Sequence, residues 1–177
     1  MSHVATLSEW IAAAQAAAAE VATTALCCGE THSAVDAGPA AESLFGAYVP
    51  LVAADCQAQI GIVAEWPACQ ALARALFGMD PDTELDAESD VADALGELAN
   101  MLAGCVKTRM DARVPGLNTG LPLCVSGHVE PSSCSEHATL GLSFDGVLLS
   151  VVVLLSPNGE AVSARARAQT RAQTKAG

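Results

Sequence analysis

Between about residues 89 and 110 the apolar positions step by three or four. Val91, Leu95, Leu98, Leu102 and Cys105 fall on one stripe, which predicts an amphipathic helix over 89–110. Asp93, Glu97, Asn100, Gly104 and Lys107 keep the same interval on another face. Upstream, Trp10, Ile11, Ala14, Ala18, Val21 and Leu26 predict a first helix over 7–28 with Ser8 as its N-cap, and its alanines permit close helix packing. Residues 29–43 are polar, contain Gly and Pro, and read as a connection, with His32 as a surface residue. Strands are predicted over 44–53 and 56–64, carried by Leu44, Tyr48, Val49, Leu51, Ile60, Ile62 and Val63, with Asp55 near the turn. A short helix over 66–77 follows, with Pro67 in its first turn and Ala68, Leu72, Ala75 and Leu76 on its apolar face.

Past the 89–110 helix, residues 111–120 read as a loop, and strands are predicted over 121–129, 137–144 and 147–155. Pro122, near a strand start, fits an edge or entry position. Phe144-Asp145-Gly146 is a hairpin signal. Residues 147–155 are apolar except for Ser150, which predicts a strand buried on both faces. Pro157 and Gly159 close the fold, so residues 1–156 are expected to be one domain and 157–177 a basic, disordered tail. A role for that tail as a tether to an acidic partner is open.

Composition narrows the function classes. A chain of 177 residues, 51% hydrophobic and 16% charged, has the makings of one packed domain with a sizeable core. Charge is unevenly placed: residues 1–155 hold 19 acids against 4 bases, whereas 156–177 hold one acid against 4 bases. So acidic a body disfavours nucleic acid and anionic membrane surfaces and suits a partner that offers a lysine. Residues 1–10 lack Lys and Arg and include Glu9, so no secretory signal is expected, and no apolar run reaches the ~20 residues a membrane span needs. Seven cysteines, none in a Cys-x-x-Cys pair, fit reduced thiols in a cytoplasm better than a disulfide framework. Two metal patterns fail. The acids of 80–90 put Leu85 where a calcium loop needs Gly and Val91 where it needs Glu. Cys124, His128, Cys134 and His137 match no familiar zinc spacing.

The candidate chemistry lies on the 89–110 helix. Glu97 and Asn100 stand one turn apart on one face, and Gly104 continues that face without a side chain. A merely solvated face is the ordinary alternative. Against it, Asn and Gly are both poor residues for a helix interior, yet both fall on this face, and the chain has only three Asn.

At these residues the sequence resembles the CheC/CheX/FliY chemotaxis phosphatases, and CheX most closely. The family pattern of Asp or Ser, three residues, Glu, two residues, Asn, then about two dozen residues to a strand Pro is met by Asp93, Glu97, Asn100 and Pro122. The surrounding Gly96-Glu97-Leu98-Ala99-Asn100 and Gly120-Leu121-Pro122 also fit it, and the order of elements resembles the family over about residues 5–155. The resemblance implies an α+β fold: a largely antiparallel sheet of five or six strands with the two long helices packed on one face. It implies a phosphatase that hydrolyses the aspartyl phosphate of a CheY-like response-regulator receiver domain, in chemotaxis or related two-component signalling. The alternative is a non-catalytic module that docks phosphorylated receivers as an adaptor or sequestering protein. Asn100 would orient the attacking water and Glu97 would pair with a receiver lysine, with Asp93 and Gly104 as further docking residues. The protein would need no cofactor of its own, since the Mg2+ belongs to the receiver, and a homodimer is implied. Relatives of the CheC type carry a second motif on the first helix. Here Glu20 has Thr23 where Asn would be needed, which implies a single site.

Overall fold

The computed structural model describes residues 5–28, 31–35, 44–54, 56–83, 85, 87–127 and 135–156. Their element order is α1 (Leu7–Thr24), β1 (Thr31–Val35), β2 (Leu44–Val52), β3 (Gln57–Ala64), α2 (Trp66–Phe77), α3 (Glu88–Met110), β4 (Asn118–Thr119), β5 (Leu123–Gly127), β6 (Glu136–Phe144) and β7 (Val147–Ser156). The expected tail and the two histidine-bearing stretches around His32 and His128 contribute no described side chains, so those expectations lie outside the described residues.

Every strand pair is antiparallel, in the order β1-β6-β7-β3-β2-β4, with β5 also pairing β2. Among the described residues the sheet therefore has seven strands rather than five or six. The additions are β1, in a stretch read from sequence as connection, and the two-residue β4. All three helices pack on one sheet face, with α1 over β6 and β7, α3 over β2 and β3, and α2 beside α3. This is the α+β architecture expected.

The core is the layer between. From the sheet come Val49, Leu51, Ile60, Ile62, Leu140, Leu142, Leu149, Val151 and Val153. They alternate along each strand, as a period of two requires when only one face is covered. From the helices come Trp10, the α1 alanines, Leu72 and the α3 stripe of Val91, Leu95, Leu98 and Leu102, all buried. The small α1 side chains let that helix lie close against α3. Because no helix among the described residues covers the second face, β7 is not buried on both sides: Leu148 is 61% exposed, and Val152 and Leu154 are half-buried.

Local signals explain the element ends. α1 begins at a capping box: the Thr6 N–H donates to Glu9 Oε2 at 2.9 Å. Thr6, not Ser8, is the cap, because only Thr6 has a Glu three residues on. The helix stops at Thr24 rather than 28, since Cys27 takes a φ of 53° and turns the chain. Leu26 still reaches the core. α2 ends on Gly78, whose φ of 64° suits a left-handed cap. The β6–β7 hairpin turns on Asp145 and Gly146, both at positive φ.

Candidate functional site

Residues on α3 divide sharply between its two faces. The apolar stripe is buried, whereas Asp93, Glu97 and Asn100 are exposed and Gly104 is half-exposed. At ordinary helical geometry, the Glu97 and Asn100 Cβ atoms lie roughly 5–6 Å apart. Acids at the helix start, Glu88 and Asp90, and bases at its end, Lys107 and Arg109, complement the helix dipole and favour this long helix.

Neither the Glu97 nor the Asn100 side chain has a hydrogen bond or ion pair among the described residues. Acids on α1 behave differently. Glu9 accepts from Arg113 Nε at 2.8 Å, and Glu20 accepts from Arg109 Nη2 at 2.5 Å. Thr23 spends its hydroxyl on the Ala19 carbonyl, at 2.9 Å. So α1 and α3 each carry a glutamate three residues before a polar side chain. Both pairs are exposed, but on α3 both side chains are left without an internal partner.

The second part of the site comes from the sheet edge. Pro122 lies against α3 at Gly96: a Cβ added there would meet the Pro122 ring at 3.7 Å. Two residues on, Cys124 directs its thiol to the Ala92 carbonyl at 3.4 Å. Burial and then the Asp93 carboxylate push the Cys124 thiol up, so it stays protonated at neutral pH. The edge segment thus runs alongside Ala92, Asp93 and Gly96 and brings Pro122 to the same helix as the Asp93-Glu97-Asn100 face. Sequence spacing singled out those three and Pro122. It named Cys124 only in a zinc pattern that fails and Gly96 only within the motif; the contacts both make depend on which edge strand flanks the helix. The arrangement offers an anionic anchor and a neutral donor–acceptor pair, one turn apart, on a surface without competing internal bonds. Among the described residues, no group of three His, Cys, Asp or Glu is placed to hold a metal ion, and no helix is long and apolar enough to cross a membrane.

The described residues thus form a three-helix layer on an antiparallel sheet, with an exposed Glu-x-x-Asn turn on the helix that Pro122, just before β5, packs against. Residues 48–144, more than half of the chain, match the family model described as chemotaxis phosphatase CheX, and the chain belongs to that family. No curated protein sequence matches it. Solved structures show the fold. A CheC-like superfamily protein from Shewanella sp. PV-4 aligns with a TM-score of 0.68 at 15% identity, covering 86% of this chain and 99% of that one. The chemotaxis protein CheX from Desulfovibrio desulfuricans aligns at 0.65 with 17% identity, covering 84% and 99%. CheX in the CheX–CheY–BeF3–Mg2+ complex from Borrelia burgdorferi aligns at 0.62 with 18% identity, covering 87% and 99%.

Proposed function

We propose that this protein hydrolyses the aspartyl phosphate of a CheY-like receiver domain. The observation that carries the reading is the outward-facing, internally unpaired Glu97 and Asn100, in a chain of the CheX family. A CheX of similar fold in complex with CheY supports a receiver as the partner.

The chemistry follows from the groups. An acyl phosphate is already reactive, so the catalyst need only place a water in line with the scissile bond. The Asn100 carboxamide accepts a hydrogen bond through its oxygen and donates through its NH2, which orients that water without adding charge beside the phosphoryl group. Glu97, one turn away, carries a charge because its counterpart is a receiver lysine. Asp93 extends the anionic face toward the helix start, and Gly104 leaves room for the partner's approach. The Mg2+ required for phosphoryl chemistry is bound by the receiver, and this protein contributes positioning alone. With Glu20 engaged by Arg109 and Thr23 in place of a carboxamide, α1 adds no second site.

The test is the lifetime of the phosphoryl group on a CheY-like receiver. Wild type shortens it, Asn100→Ala abolishes the acceleration with folding intact, and Glu97→Ala mainly weakens docking. Phosphorylation-dependent binding with an unchanged lifetime would replace the enzyme by a docking module.

A further inference from the structure

We propose that the basic residues Arg165, Arg167, Arg171 and Lys175 dock on the acidic outer face of α3 in their own chain and compete there with the receiver. The inference rests on the phosphatase reading above for what is displaced, and it adds a means of regulating that same site.

The surface is an unpartnered helix face. Asp90, Asp93 and Glu97 step by three and four along α3, so they share one side of it, and all three are exposed. Among the described residues no cation pairs with any of them. Three of the four bases in residues 1–155 are committed elsewhere. Arg74 donates to the Thr83 carbonyl at 2.6 Å, Arg109 is bound to Glu20, and Arg113 to Glu9. The fourth, Lys107, stands ten positions after Glu97, roughly 15 Å along the helix. The chain's other four bases are Arg165, Arg167, Arg171 and Lys175, and the nearest acid to them in sequence is Glu160. An acidic face without cations and a basic stretch without acids thus belong to one chain.

The chain is long enough to join them. Residues 157–177 follow the described fold at Ser156, and the sheet register places that point. Ser156 lies opposite Gln57, Gln57 opposite Val52, and Val52 opposite Asn118. Three strand spacings, roughly 15 Å, therefore separate Ser156 from Asn118. Four residues beyond Asn118, at most about 14 Å, Pro122 rests against α3 at Gly96, next to Glu97. These two legs cross at right angles, so Glu97 lies within roughly 30 Å of Ser156 once the step up to the helix is included. Arg165 is nine residues past Ser156, which allows about 30 Å at full extension, and Lys175, nineteen past it, about 60 Å. Arg167 and Arg171 fall between and reach with slack. A tether of this length presents its charges at millimolar effective concentration, which favours its own face over that of another copy. A receiver lysine seeking Glu97 meets carboxylates already paired.

The experiment is steady-state dephosphorylation of a CheY-like receiver kept phosphorylated with phosphoramidate. It compares wild type, Asn100→Ala, and a full-length variant that combines Arg165→Gln, Arg167→Gln, Arg171→Gln and Lys175→Gln. Each exposed ion pair is worth up to about fivefold, so neutralising the competitor should lower KM roughly three- to thirtyfold, with kcat within about twofold. That gap should close as salt is raised to about 0.5 M, because exposed pairs are screened. In parallel, a labelled peptide of residues 157–177 is titrated by fluorescence anisotropy into the neutralised variant. Asp93→Asn with Glu97→Gln should weaken that binding by about threefold or more. Peptide binding that ignores both carboxylates would overturn the inference. So would an unchanged or raised KM in the neutralised variant beside an inactive Asn100→Ala, and the phosphatase would then stand alone. A KM gap that grows with protein concentration would put the basic stretch on a second copy and overturn the contact within one chain. Wild-type activity in Asn100→Ala would remove the phosphatase reading, and the peptide titration would then decide the contact by itself.

Discussion

Gly104→Ala should make the protein more stable and a worse partner. The residue lies within α3, four positions after Asn100, and nothing comes within 4 Å of an added Cβ. Its carbonyl already accepts from the Thr108 hydroxyl at 3.0 Å, a bond the new methyl does not disturb. A helix-interior glycine costs about 0.8–1 kcal/mol relative to alanine, through backbone entropy. With no clash to offset that gain, the variant should be more stable by roughly 1 kcal/mol, or about 2–4 °C in Tm for a chain of this size. Docking should move the other way. If the receiver packs against the bare backbone at Gly104, an inserted methyl overpacks the contact at about 1–3 kcal/mol, or roughly five- to hundredfold in affinity. Thermal melting gives the first quantity, and titration against a beryllofluoride-loaded receiver gives the second. A lowered Tm would refute the claim that the site is open. A raised Tm with wild-type affinity would refute the bare-patch role of Gly104 and leave the rest of the face standing.

Two further predictions concern the scaffold. Gly61→Ala would place a Cβ 2.4–2.5 Å from the Tyr48 ring on the uncovered sheet face, and since a ring edge yields little, the loss should be about 1–3 kcal/mol in urea unfolding; an unchanged midpoint would mean that Tyr48 swings aside at no cost. Burial pushes the Cys69 thiol up from 9.0 to about 11. The native state thus holds this proton more tightly, so its contribution is complete below pH 9 and is lost as pH rises toward 11. The interval corresponds to roughly 3 kcal/mol, and Cys69→Ala should flatten that alkaline decline in urea midpoints between pH 8 and 10.5.

Helical signals were the most legible part of the chain, because their periodicity is local. The α3 stripe marks 89–110 and the helix is Glu88–Met110; Pro67 opens α2 as expected, and α2 ends at Phe77 as read, with Gly78 as its cap. The cap of α1 was legible too, but in the Thr6-x-x-Glu9 spacing rather than in Ser8. Its end was not, because the buried Leu26 continues the helical rhythm after the backbone has turned at Cys27. Sheet features depend on a second strand. Thr31–Val35 shows no apolar alternation and becomes β1 only by pairing with β6. Apolar content in β7 says that the strand is central, between β6 and β3, but not that helices cover one face alone. In the site, the order Asp93, Glu97, Asn100, Pro122 was readable. The one surplus residue between Thr119 and Leu123, opposite the stretch from Leu51 to Tyr48, was not, since it exists only relative to the register of the partner strand.

The contrast between the two long helices explains why a single face should work. Both present a glutamate three residues before a polar side chain, and both pack into the same core. On α1, Glu20 is bound to Arg109, which also donates to the Cys105 carbonyl at 3.1 Å. A receiver lysine seeking Glu20 would have to displace a guanidinium held at two points, and would meet its positive charge on approach. Such an exposed ion pair contributes little to stability, about 0–1 kcal/mol. Its consequence is occupancy: it fastens α1 to α3 and removes Glu20 from the surface chemistry. On α3 the helix bases stand at the far end, beyond Gly104, so Glu97 keeps its charge for an incoming partner. Fold stability therefore rests on the buried stripes, and the outward face of α3 stays free for the recognition and water positioning proposed for it.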